Sequence, residues 1–207
     1  LSKAKAVYAY IQKWFKWNNS RHFYSEDGIK KALENHTGNV ADINLSLLAA
    51  LGAAGVDADA VLLSTRENGI INKLYPVLSD FNYVVAKVNI GDKSYLLDAT
   101  DPLLPFGLLP IRCINDQGRV VSLTKPSYWT DLKASQKESK VYSLNLVLAE
   151  TGKIKGTITG YSMGYEAYNK RSAIKKFNSI EEYVENMDEK MRRIKILSSD
   201  FKNVDSL

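Results

Sequence analysis

Hydrophobic positions in the first half of this chain change period part-way along. Near the start, Val7, Tyr10, Ile11, Trp14 and Phe15 recur at helical spacing. They predict an amphipathic helix over residues 4–17 with its apolar stripe turned to a core. A short second helix is expected over residues 28–34. Residues 39–54 form the clearest element. Asn39 is a good N-cap, and Asp42 follows three residues later, as in a capping box. Ile43, Leu45, Leu47, Leu48 and Leu51 then cover most of the circumference, and Gly55 supplies the stop. A helix apolar nearly all round is buried on most sides, so this one should lie at the centre of the fold.

Beyond Gly55 the pattern becomes that of strands. Residues 58–64 and 81–90 read as two of them, and Gly91-Asp92 turns the second into an antiparallel return over residues 93–98. Residues 65–80, with Gly69 and Pro76, make a long loop of the kind that is often functional or mobile. Residues 101–110 hold three prolines and Gly107 and should be irregular, with their apolar side chains packed over another element. A polar stretch around Pro126 marks a boundary, giving one domain over residues 1–130 and a second, β-containing with a helix, over 131–207. In the second, Tyr142, Leu144, Leu146 and Leu148 alternate, Thr151-Gly152 turns the chain, and residues 154–159 pair back as a hairpin. Ser179 and Glu182 open a helix carrying Ile180, Tyr183, Val184, Met187 and Met191, and residues 194–197 read as a final strand. These elements together predict an α+β class.

Composition narrows the function. Hydrophobic residues make up 45% and charged residues 25% of the 207, which is ordinary for a globular domain. The net charge is +5, but the basic residues are scattered apart from pairs such as Lys170-Arg171 and Arg192-Arg193. No basic stripe interleaves with aromatics, so nucleic acid is not an expected partner. Cys113 is the one cysteine, which excludes an intrachain disulfide, and His22 and His36 are the two histidines. Neither set suits a metal site, and no metal or cofactor is expected. No run of about 18 apolar residues is present, so no membrane-spanning segment is expected. The chain begins at Leu1 rather than methionine and reads as a piece of a longer protein.

Several segments together carry a resemblance to a known family. They are Gly38-Asn39-Val40-Ala41-Asp42 with its Leu-rich helix, Ala54-Gly55-Val56, Val61-Leu62-Leu63, Phe81-Asn82-Tyr83-Val84, and Tyr95 through Asp101. Over roughly residues 1–125 the chain resembles the transglutaminase-like superfamily, in its bacterial multidomain variety with a β-rich C-terminal domain; Gly107-Leu108-Leu109-Pro110 also fits that variety. The resemblance implies a papain-like core in which a buried helix packs on an antiparallel sheet. It also implies a catalytic triad of cysteine, histidine and aspartate. The cysteine position falls on Val40, the histidine on Tyr83 and the aspartate on Asp98, so two of the three depart from the family pattern. Valine has no nucleophilic atom, and tyrosine, with a reference pKa of about 10, is a poor base at neutral pH. Losing nucleophile and base together removes the covalent route.

Each singled-out residue also has a plainer reading. Val40 can line a pocket or simply fill core. Tyr83 can bond to Asp98, which then survives as a structural relic or as a recognition group for a basic ligand. Asn39, Asn82 and His36 are candidates to line the cleft, or are cap, turn and surface residues. Cys113 and Ser46 are the alternative nucleophiles; Cys113 reads more simply as a buried structural thiol. Trp14, Trp17 and Trp129 are core aromatics or a flat contact for sugar or peptide. The expected function is that of a catalytically inactive binding or scaffolding module in a larger bacterial protein, periplasmic or on the cell surface. Its ligand would be a peptide, a glycan or another domain of the parent chain. The alternatives are a cysteine-type hydrolase or acyltransferase with a non-standard nucleophile, and a plugged structural spacer.

Overall fold

A computed structural model describes residues 1–26, 28–122 and 124–205. The chain divides into two compact units, Leu1–Ser135 and Gln136–Leu207. The first contains helices α1 (Ser2–Trp14), α2 (Ile29–Asn35) and α3 (Val40–Ala53). Its strands are β1 (Lys16–Trp17), β2 (Thr37–Gly38), β3 (Ala58–Leu63), β4 (Tyr83–Ile90), β5 (Lys93–Leu97), β6 (Gln117–Val121) and β7 (Tyr128–Asp131). Five of them form an antiparallel sheet in the order β5-β4-β3-β6-β7, and β1 pairs with β2 in a separate parallel bridge. This is an α+β fold.

The central helix forms where its pattern predicts. The Asn39 side chain accepts from the Asp42 N–H, and the Asp42 carboxylate accepts from the Asn39 N–H, closing the capping box. At the other end Gly55 sits at φ +70°, and Val56 N–H bonds back to Leu51 O, the geometry of a Schellman cap. Ile43, Leu47 and Leu51 are fully buried in one cluster with Ala86, Val88 and Leu97 of the sheet and Ala4, Tyr8 and Ile11 of α1. A second cluster joins Val40 and Ala41 to Val61, Leu63, Tyr83 and Val120, with Leu109, Cys113 and Leu132.

α1 ends three residues earlier than expected; of the expected stripe Ile11 and Phe15 are buried and Val7 and Trp14 pack against the core, but Tyr10 does not. Its buried positions are Ala4, Tyr8, Ile11 and Gln12, whereas Tyr10 is 57% exposed and stacks on Trp14. Tyr8 and Gln12 are buried because each finds backbone acceptors. Tyr8 Oη donates to Asp98 O and Leu104 O, and Gln12 Nε2 to Asp101 O and Leu104 O. These bonds clamp the irregular 101–110 segment, whose Leu104, Leu108 and Leu109 are buried as expected. Lys16 and Trp17, expected inside the helix, are extended and bridge to Thr37 and Gly38. β6 and β7 extend the sheet where the sequence shows little alternation. Gly118 in β6 is a close approach: a Cβ there would lie 2.6 Å from Val61 Cγ1 and 3.1 Å from Leu62 O.

The second unit holds the hairpin of β8 (Ser139–Leu148) and β9 (Ile154–Met163), then α4 (Tyr165–Ile174) and α5 (Ile180–Lys190). Ten residue pairs register across the hairpin, from Ser139↔Met163 to Leu148↔Ile154. Tyr142, Leu144, Leu146 and Leu148 are exposed, not buried, because no further strand or sheet faces them within this unit among the described residues. Ser179 Oγ caps α5 by accepting from Glu182 N–H, yet no residue of α5 is buried. Residues 194–197, expected as a strand, are not one: the ribbon is two-stranded and offers them no ladder. Among the described residues no helix is long and apolar enough to cross a membrane.

Candidate functional site

Val40, Tyr83 and Asp98 come together at the junction of α3, β4 and the end of β5. Val40 is the first residue of α3, where a helix dipole and unbonded N–H groups would favour a thiolate. Its side chain is fully buried in the cluster that also holds Tyr83, and its N–H already donates to Ser20 O at 3.2 Å. Tyr83 opens β4 in register with Leu63 of β3. Its hydroxyl donates to Asp98 Oδ2 at 2.7 Å. The expected tyrosine–aspartate bond is therefore present.

Asp98 is completely buried and completely engaged. Oδ1 accepts from Asn44 Nδ2 at 3.0 Å and from Thr100 N–H at 3.0 Å. Oδ2 accepts from Tyr83 and faces Arg112 Nη2 at 3.5 Å. Asn44, the polar residue inside the apolar helix, is what lets α3 grip this site. It also donates to Val84 O and accepts from Ala99 N–H, both at 2.9 Å.

Arg112 completes the constellation. It sits in a single 3-10 turn, Ile111–Cys113, at the end of the proline-containing segment. Nη2 donates to Tyr83 Oη at 2.8 Å and to Thr100 Oγ1 at 3.1 Å, and Nε reaches Tyr83 Oη at 3.3 Å. The guanidinium lies 4.8 Å from the Trp17 ring centroid and 5.4 Å from that of Tyr83. Burial opposes its charge, but Tyr83 and Asp98 outweigh that and hold the guanidinium more firmly protonated than usual. Burial first, and then the Asp98 charge, push both the Tyr83 phenol and the Cys113 thiol well above their ordinary values of 10.0 and 9.0. Neither group is available as an anion near neutrality.

Both alternative nucleophiles lie inside the fold. Cys113 is fully buried. Ser46 Oγ donates to Asp42 O at 2.6 Å, a bond back to its own helix. No group of three or more His, Cys, Asp and Glu side chains among the described residues is placed to hold a metal ion. The three candidate cleft residues have structural employment. Asn39 caps α3 and donates to Tyr24 O, the Asn82 side chain accepts from the Thr65 N–H and donates to Thr65 Oγ1, and exposed His36 packs on the Trp14 ring at 4.1 Å. None of them borders the cleft of about 300 Å³ that opens over Arg112, which Phe15, Lys16, Trp17, Thr100, Asp101 and Pro102 line.

No protein-family model matches this chain, and no curated protein matches it. A solved structure from Parabacteroides distasonis, provisionally described as a protease, is similar over 64% of this chain at 18% identity and a TM-score of 0.44. The chain covers 24% of that protein's length. A likeness this distant does not transfer an activity.

Arg112, Thr100 and Asn44 are the site residues that sequence reading missed. Asn44 carried a signal, since a lone amide inside an apolar helix needs a buried partner. Arg112 carried none, because only the fold of the 101–113 segment brings it under Tyr83.

The direction of the two shifts makes a pH prediction. Folding favours the neutral thiol and phenol, so the folded chain keeps both protons to higher pH than the unfolded chain. The stability this contributes is complete below the ordinary values of 9.0 and 10.0 and is lost as pH rises beyond them. Urea unfolding should therefore show stability falling above about pH 9 by up to about 1.4 kcal/mol per pH unit per group. Cys113→Ala should remove the onset of that slope. A Cys113→Ala profile identical to that of the unaltered chain would contradict the assignment.

Proposed function

We propose that this chain is a catalytically inactive domain of transglutaminase-like ancestry that serves as a binding or scaffolding module within a larger bacterial protein, periplasmic or at the cell surface. The observation that supports it best is the closed bonding around Asp98. In a Cys–His–Asp enzyme the aspartate holds an imidazole that takes a proton from a thiol. Here Asp98 holds a phenol whose oxygen already accepts from Arg112, and a buried isopropyl group stands at the helix N-terminus. A proton cannot be drawn from Val40, and Tyr83 has no imidazole nitrogen to receive one.

The test is turnover. Generic casein and dipeptide substrates, and glutamine–amine transfer assays, should show no rate above buffer. A rate that Tyr83→Phe or Cys113→Ser abolishes would end the proposal. The cysteine alternative is checked separately. Ellman's reagent at neutral pH should leave folded Cys113 unreacted over hours and label it fully in denaturant, as burial and the raised thiol pKa require. Rapid labelling of the folded chain would favour a cysteine enzyme.

A further inference from the structure

The guanidinium of Arg112 is only partly used by the protein. Its Nε and Nη2 are bonded to Tyr83 and Thr100, whereas Nη1 donates to no acceptor among the described residues. No buried side-chain nitrogen or oxygen among the described residues lacks a partner, so Nη1 is the part that reaches solvent, where the Arg112 side chain is 21% exposed and borders the cleft. The fork is positioned before any ligand arrives, over the Trp17 ring and hydrogen-bonded to the Tyr83 hydroxyl. Fixing one edge lowers the ordering cost of using the other. Lys16, on the cleft rim, makes no side-chain ion pair or hydrogen bond among the described residues and adds a second positive charge. Phe15, Trp17 and Pro102 supply apolar walls.

We infer that this cleft binds a carboxylate borne on an apolar body, with Arg112 as its planar partner, Lys16 as a second cation and Trp17 with Phe15 as the apolar wall. This rests on reading the chain as a binding module and names its ligand class. The volume, about 300 Å³, suits a single side chain or a small acid. The charge pattern prefers one negative charge to two. Asp98 offsets Arg112 from below, and Asp101, whose Oδ1 accepts from Leu103 N–H, stands in the lining and would repel a dianion. A carboxylate matches a guanidinium edge in shape as well as charge.

The experiment is an amide-resolved NMR titration of the full chain with N-acetyl-alanyl-phenylalanine, with its C-terminal amide, with N-acetyl-phenylalanyl-glutamic acid amidated only at its α-carboxyl so that the side-chain acid stays free, and with inorganic phosphate. The free acids should shift the Trp17 indole N–H and the backbone of Lys16 and Thr100 saturably. The uncharged amide should bind at least about tenfold more weakly, as one lost charge-assisted contact implies. The stronger of the two acids identifies a chain terminus or an acidic side chain as the source. Lys16→Glu should weaken the acid with no change in Tm, and Arg112→Lys should weaken it further, its Tm being followed in parallel. Equal binding of acid and amide, shifts away from Trp17, phosphate binding as tightly as the acids, or no saturation by 10 mM, about the weakest affinity a small acid would show, would overturn the inference. The same spectra report cleavage of the dipeptide. Cleavage removes the inactive-module proposal, whereas absent binding without cleavage removes the carboxylate site alone.

Discussion

Asp98→Ala should lower the unfolding free energy by about 3–5 kcal/mol, the range for removing one partner of a buried charged pair. The substitution takes away the acceptor of Tyr83 Oη, Asn44 Nδ2 and the Thr100 N–H, and leaves Arg112 facing a cavity. Arg112 retains some contact with water, its side chain being 21% exposed, which places the effect toward the lower end of the range. Urea unfolding followed by tryptophan emission reads it cleanly, since Trp14, Trp17 and Trp129 all lie within the unit of residues 1–135. The midpoint should fall at unchanged slope. The double variant Asp98→Ala with Arg112→Met should recover part of the loss, because the stranded cation goes with the carboxylate. A loss under about 1 kcal/mol for Asp98→Ala, the worth of one ordinary hydrogen bond, would show that the network does not hold the fold.

Leu47→Ala in α3 should cost about 2–5 kcal/mol. Leu47 is wholly buried in the cluster that also holds Ile43, Leu51, Val88 and Leu97, so the deleted methyls leave a void between helix and sheet. The two losses differ in kind. Asp98→Ala strands donors and a cation, which Arg112→Met partly relieves, whereas Leu47→Ala leaves a void that Arg112→Met does not touch. A Leu47→Ala loss below about 1 kcal/mol would mean that α3 is not the centre of this unit.

The elements that sequence could place are those whose information is local. Asn39, Asp42 and Gly55 form their cap and stop from bonds to residues three to five positions away, so α3 was readable to within a residue. The return from β4 to β5 was equally local, with Gly91 at φ +58° in the turn. The inward face of α1 was legible only in part. Ile11 and Phe15 face the core as their spacing predicts, but Tyr10 does not, and Tyr8 and Gln12 are buried because they find carbonyls some 90 residues later. β6 and β7 escaped notice because a short strand with Gln117, Gly118 and Arg119 has little alternation to read.

The candidate site divides in the same way. Family resemblance picked out Val40, Tyr83 and Asp98, and the chemistry of valine and tyrosine already argued against acyl transfer. How those residues are bonded depended on the third dimension. Arg112 lies 14 residues beyond Asp98 and 29 beyond Tyr83, across a proline-containing segment of no regular structure. Sequence alone determined which side chains lack a thiol and an imidazole, because reactivity belongs to the functional group. Only the tertiary structure decided that an arginine closes over the phenol and leaves one edge toward a cleft, because a hydrogen bond is made by distance in space and not by distance along the chain.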